Sequence, residues 1–539
     1  MQSEPEILKG VFTEVYEIIS NFGLLMKRII YQMLPRLWGE GKFSSLDTES
    51  LGYIKGLGAG YVWLTGVIRH ATRIPTPGQE CEKVVKGDAG SPYAITDYYD
   101  VNPYLATDPQ KRMDEFEALL HRIHESGLKV LVDFVPNHVA REYSGEMTPP
   151  GETPLGVGDD TSVHWSADND FYYYPAEELS LPCGCNGYRE YPAKASGNAF
   201  TPSPGVNDWY DTVRLNYCDF HTGTWDKMYS IVRFWASKGV DGFRCDMVEM
   251  VPPAFFKWLI PKIKAEFPGV IFVAEVYNTA SYSLYAGKEC FDLLYDKCGL
   301  YDTLRECVRT GCGATGITRC WQSLGDLQGY MLNFLENHDE QRIASDFFAG
   351  EASRAYAALA VSLLFNDASF MLYSGQEIGE RGMQSEGFSG LDGRTSIFDS
   401  HKVPSLQRLY SEIHGNEALE ANEKEVLGHY RKMLSLAVRP VFSQGRSYDL
   451  NYAQGEGFPR ENCFAFLRGM GEELWLVAAN FSDGDIVADI SVPAEAFVYF
   501  GFGNLKQTYR LALRRNSATV MAVATAALSD SGPEAAPAG

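Results

Sequence analysis

Gly242-Phe-Arg-Cys-Asp-Met247 and, one amphipathic stretch later, Val270-Ile-Phe-Val-Ala-Glu-Val276 are short apolar runs that each arrive at a carboxylate. Strands that read as nearly continuous apolar runs belong to parallel sheets, because such sheets are covered on both faces. The same unit recurs along the chain: an apolar run, a loop with Gly or Pro, then a longer amphipathic stretch such as Asp114 to Ser126 or Ala352 to Phe365. In order the runs are Ile29 to Trp38, Tyr61 to Val67, Lys129 to Val135, Gly242 to Met247, Ile271 to Val276, Phe291 to Tyr295, Met331 to Leu335 and Phe370 to Tyr373. These are the eight strands that a closed (β/α)8 TIM barrel needs.

Working outward from the barrel, residues 26–139 and 217–435 form the catalytic domain. Residues 140–216, rich in Gly, Pro, Ser and Tyr, are too long for a loop and read as an inserted domain. Because the insertion leaves the carboxyl end of the third strand, it is expected to overhang the face where barrels carry their active sites. Residues 436–528 change to short alternating strands, as in Cys463-Phe-Ala-Phe-Leu-Arg468, and read as a C-terminal antiparallel β-sandwich domain. Residues 1–25 are an N-terminal extension, and 529–539 a Pro-, Ala- and Gly-rich tail.

Composition narrows the partners. With 47 basic against 70 acidic residues, the formal charge of -23 repels phosphate backbones and anionic lipid surfaces. Nucleic acid and membrane are therefore excluded as partners, whereas a neutral sugar polymer is indifferent to the charge. The 11 cysteines are odd in number and one, Cys245, sits in a barrel strand, a pattern that suits a reducing compartment. Cys183-Gly-Cys185 is too tightly spaced for a zinc motif and reads as a loop with two free thiols. The acidic start Met1-Gln-Ser-Glu-Pro-Glu and the lack of a long apolar run point to a cytoplasmic protein. Nothing in the pattern fixes an oligomeric state.

Polar residues cluster directly after four strands. They are Asn137 and His138 after the third, Arg244 and Asp246 on the fourth, Glu275 after the fifth, and His338 and Asp339 after the seventh. Each acid alone reads as readily as a helix cap or a structural ion pair; together they converge on one barrel mouth. Neighbouring strands lie about 4.8 Å apart, which suits a retaining glycosidase, whose two carboxyls stand about 5 to 5.5 Å apart. Asp246 is then the nucleophile, kept ionised by Arg244. Glu275 is the proton donor, its pKa raised by the neighbouring acids. Asp339, with His138 and His338, stabilises the flattened cationic transition state.

These four segments resemble the signature regions of the α-amylase family, glycoside hydrolase family 13. The resemblance implies the same roles for Asp246, Glu275 and Asp339. Gly90-Ser-Pro-Tyr93 with Asp97-Tyr-Tyr99 resembles the segment whose tyrosine stacks on the sugar, which makes Tyr93 the platform. Val213-Arg-Leu-Asn216 resembles a degenerate fifth signature region, Tyr373-Ser-Gly-Gln-Glu377 the end of the eighth strand, and Asp392-Gly-Arg394 a grip on the next sugar. Many members carry Lys-His where this chain has Glu249 and Met250, and that His often binds calcium. Asn137 keeps the residue type of one ligand, so calcium is the one metal the resemblance suggests. The implied activity is retaining cleavage of α-1,4 bonds in starch- or glycogen-type glucans or maltooligosaccharides. The alternatives are a transglycosylase or a sucrose- or trehalose-directed enzyme, or an inactive binding subunit.

Overall fold

A computed structural model describes residues 27–182, 187–384 and 387–523 of the chain. The expectations for residues 1–25, for the tail 529–539 and for Cys183 and Cys185 lie outside the described residues.

Eight parallel strands close into a barrel. They are β1 (Ile29–Met33), β2 (Tyr61–Leu64), β3 (Lys129–Phe134), β4 (Gly242–Cys245), β5 (Ile271–Ala274), β6 (Leu293–Tyr295), β7 (Met331–Phe334) and β8 (Ser369–Tyr373). Each pairs with its neighbour in sequence, and β8 closes on β1. The fold class read from the apolar runs is thus the observed one. The first strand stops sooner than its apolar run, because Pro35 has no N–H to give a ladder and opens a 3-10 turn instead.

Alternation along the strands sorts side chains into two cores. Ile271 and Val273 of β5 join Trp63, Tyr295 and Phe334 inside the barrel. Phe272 and Ala274, like Phe243 and Cys245 of β4, face the surrounding helices. By the same period of two, Gly242, Arg244 and Asp246 point inward, as do Ile271, Val273 and Glu275. Gly242 is required: a Cβ there would lie 2.6 Å from the Ile271 carbonyl oxygen and from Leu131.

The chain between β3 and β4 contains two short antiparallel ribbons, His138–Ala140 with Thr212–Arg214 and Tyr173–Tyr174 with Ala193–Lys194. The first ribbon brings the two ends of the insertion together beside the barrel mouth. Buried Arg141 ties its interior, donating to Tyr210 O (3.0 Å), Glu190 Oε1 (2.9 Å) and Ser196 Oγ (2.6 Å).

Beyond the barrel, β9 (Arg446–Asp449), β10 (Cys463–Met470), β11 (Glu473–Asn480) and β14 (Ser517–Ala522) form one antiparallel sheet, and β12 (Ile486–Val492) pairs with β13 (Gln507–Leu513). Phe464 and Phe466 of β10 face the barrel's helical core. Cys463, Ala465 and Leu467 face a second core shared with β12. One strand thus serves two cores, which is how the C-terminal domain is attached.

Candidate active site

The β4–β5 register pairs Cys245 with Ala274, so Asp246 and Glu275 are the next residues on neighbouring strands. Both are nearly buried, at 5% and 3% exposed. Arg244 joins them from below: Nη1 donates to Asp246 Oδ1 at 2.6 Å, and Nη2 lies 2.8 Å from Glu275 Oε1. The same guanidinium reaches Asp133 Oδ1 of β3 at 3.4 Å and lies 5.2 to 5.7 Å from the ring centres of Tyr93, Trp63 and Tyr295. A buried cation this enclosed needs partners, and three carboxylates supply them.

Glu275 accepts two further hydrogen bonds, from the Met247 N–H to Oε2 (2.7 Å) and from the Tyr277 hydroxyl to Oε1 (2.7 Å). Met247 follows Asp246 directly and is left-handed, at φ 45°. That conformation is costly for a non-glycine residue and turns the backbone donor toward Glu275.

The electrostatics separate the three acids. Burial, opposed by Arg244 and reinforced by the charges of Asp246 and Asp339, pushes Glu275 up to about 7. Burial also raises Asp246, with Arg244 pulling the other way. Asp339 is held down to about 2: burial opposes this, but His338 outweighs it. Its side chain is 39% exposed, the most open of the three. At neutral pH Glu275 can therefore hold a proton while Asp339 does not. The leading cause for Glu275 is burial, where the sequence pointed to the neighbouring acids.

The two histidines are oriented by amides. Gln32 Nε2 donates to His338 Nδ1 (2.6 Å), which assigns the proton to Nε2, where it meets Asp339 Oδ2 at 3.0 Å and the Tyr93 hydroxyl. Asn137 Nδ2 donates to His138 Nδ1 (3.2 Å), leaving the His138 Nε2–H as a donor. Burial lowers the His138 pKa to about 4, so this donor is neutral.

A cavity of about 270 Å³ opens on this group. Of the residues singled out in the sequence, Asp246, Glu275, Asp339, Tyr93 and His138 line it; Arg244 and His338 sit behind that wall. Asp392 and Arg394 lie outside the lining, paired with each other (Nε to Oδ2, 2.8 Å), although the charge of Arg394 helps to lower Asp339. The sequence reading missed Lys86, Trp209, Tyr277 and Phe398 in the wall. Tyr277 alone carried a signal, standing two residues after Glu275 and so on the same side of the chain.

The surroundings of Asn137 do not fit calcium. Its amide nitrogen donates to Gly197 O (3.0 Å), and that oxygen also accepts from Arg214 Nη1 (3.2 Å). Arg214 Nη2 donates to Met250 O at 3.3 Å. A fixed guanidinium thus bridges the insertion and the loop after Asp246. Calcium wants six to eight oxygens, usually including carboxylates. Among the described residues, the clustered group of metal-ligand type is Asp47, Glu49 and His414, none of which lines the cavity; Asp47 is engaged there as a helix cap.

A family model described as "Alpha amylase, catalytic domain" matches residues 47–269, which span β2 to β4 and Asp246. The chain is thus similar to the α-amylase family, glycoside hydrolase family 13. Among similar proteins, Alpha-amylase 3 of Dictyoglomus thermophilum is 24% identical over 369 residues, covering 64% of this chain and 66% of its own length. Oligo-1,6-glucosidase of Bacillus cereus is 22% identical over 572 aligned positions, covering 86% of this chain and 91% of its own. The crystal structure of an α-amylase from Lactobacillus plantarum superposes with a TM-score of 0.61 at 19% identity, covering 93% of this chain and 99% of that one, and shares the fold. Among the described residues, no helix is long and apolar enough to cross a membrane.

Proposed function

We propose that this chain is an α-amylase family member, a retaining glycosidase that cleaves α-1,4-glucosidic bonds in starch- or glycogen-type glucans or maltooligosaccharides, as a cytoplasmic enzyme. The observation that carries the reading is the in-register placement of Asp246 and Glu275 on adjacent strands, joined through one guanidinium, with Glu275 at about 7. Adjacent strands about 4.8 Å apart suit the roughly 5 to 5.5 Å between a nucleophile and a proton donor better than the wider gap that an intervening water needs.

In this mechanism Asp246 attacks the anomeric carbon while Glu275 protonates the leaving oxygen. Arg244 keeps Asp246 ionised and aimed. Asp339, oriented by the His338 Nε2–H, steadies the positive charge that grows on the ring, and the His138 Nε2–H on the cavity wall is a donor to a sugar hydroxyl. Tyr93 offers an aromatic wall for the sugar's apolar side. Glu275, now ionised, takes a proton from water, which releases the sugar from Asp246. No step uses a metal; Arg214 supplies the fixed positive charge between insertion and barrel.

Time-resolved product analysis on maltooligosaccharides and on isomaltose tests this. Shorter α-1,4 products alone are expected. Products longer than the substrate would make the chain a transglycosylase, and cleavage of isomaltose alone would move the specificity to α-1,6 bonds.

A further inference from the structure

The inserted segment carries aromatic rings where solvent reaches them. Phe200 is 54% and Trp165 50% exposed, and His164 is exposed beside them. They are held in place. Tyr172 meets Phe200 edge-on at 5.0 Å, His164 lies 6.1 Å from Tyr172, and the Trp165 Nε1–H donates to Asn216 Oδ1 at 3.1 Å. The Arg214 guanidinium lies 4.9 Å from the Phe200 ring centre. Grouped exposed apolar rings, unlike singly scattered ones, mark ligand-binding surfaces.

The strip continues from the catalytic cavity. Trp209 and His138 line that cavity and stand 5.1 Å apart, centre to centre. The Trp209 N–H donates to Asn198 Oδ1 at 2.8 Å. Phe200 is two residues beyond Asn198, so its Cα is at most about 7 Å away. Arg214 joins the same two places, donating to Gly197 O while stacking on Phe200.

We propose that Phe200 and Trp165 form a second glucan-binding platform, which holds the part of a long α-glucan chain that extends beyond the cleavage site. Aromatic faces pack on the apolar faces of neutral sugar rings, as Tyr93 is placed to do inside the cavity. The chain's charge of -23 disfavours an acidic macromolecule on the same face. A platform of this kind raises the effective concentration of polymer at the cavity without touching the bond that breaks. The proposal rests on the glucan reading of the cavity for its substrate class, and its test separates the two.

The experiment compares the parent with a Phe200→Ala/Trp165→Ala double variant and a Phe200→Tyr/Trp165→Phe control, after thermal unfolding shows that all three fold alike. Affinity electrophoresis through glycogen-containing gels is expected to retard the parent and the control. Retardation of the double variant is expected to weaken about 5-fold. The KM for soluble starch should rise by a similar factor, while kcat/KM on 4-nitrophenyl α-maltoside stays within about twofold. Unchanged retardation, a parallel loss on the short substrate, or a dimer that dissociates in the double variant would each overturn the platform. A parent retarded through these side chains that cleaves no glucan would overturn the reading of the cavity and leave the platform standing.

Discussion

Replacing Glu275 by Gln should cost activity and, above neutral pH, return stability. In the fold this carboxyl titrates at about 7 against 4.5 for the free side chain. Between those values the folded protein keeps a proton that the unfolded chain has released. The group's stabilising contribution is therefore complete below about pH 4.5 and disappears as pH rises through 7. At about 1.4 kcal/mol per pH unit, the penalty above neutrality approaches about 3 kcal/mol. Gln cannot ionise and escapes that penalty. Its amide also sets an N–H against the Met247 N–H or the Tyr277 hydroxyl, but that cost is the same at every pH. The quantity to read is thus the change in relative stability with pH. Thermal unfolding of parent and variant from pH 4 to 8 should show the variant gaining steadily, by about 3 kcal/mol over the range, while turnover falls about 10²- to 10⁴-fold through loss of the acid. Two curves that run parallel across that range would refute a raised Glu275.

Tyr277→Phe removes a donor to the ionised form of Glu275, so the alkaline limb of kcat/KM should move up by about one pH unit; a pH–rate profile checks both size and sign. Arg244→Met leaves Asp133, Asp246 and Glu275 buried together without their cation and should destabilise the fold by about 3 to 5 kcal/mol, measured by denaturant unfolding at neutral pH. Because Arg214 spans Gly197 and Met250, EDTA should leave the unfolding midpoint unchanged, whereas Arg214→Ala should lower it by several degrees and added calcium should not restore it.

The barrel was legible because its strands bury both faces and so read as unbroken apolar runs, and because four of them lead into polar residues that a buried strand would otherwise exclude. Asp246, Glu275 and Asp339 stand out for that reason. Asp246 and Glu275 also follow β4 and β5 in a register that alternation predicts. What escaped the sequence comes from contacts with no fixed spacing. Trp209 and Lys86 reach the cavity from separate loops, and Gln32, on β1 and 306 residues away in sequence, orients His338. The weight of burial over neighbouring charge on Glu275 depends on how tightly the mouth is packed. Arg214 read as a blemish in a signature segment; only its two carbonyl partners, brought together by the insertion and the loop after Asp246, reveal a fixed cation where calcium was expected.

The mechanism is a two-step displacement at Asp246 with Glu275 as the acid. Proton NMR of the product released in the first moments of maltoheptaose cleavage, before mutarotation, tests it most directly. The α-anomer first, converting slowly to the equilibrium mixture, is the predicted result; the β-anomer first would mean a single displacement by water and would contradict the account.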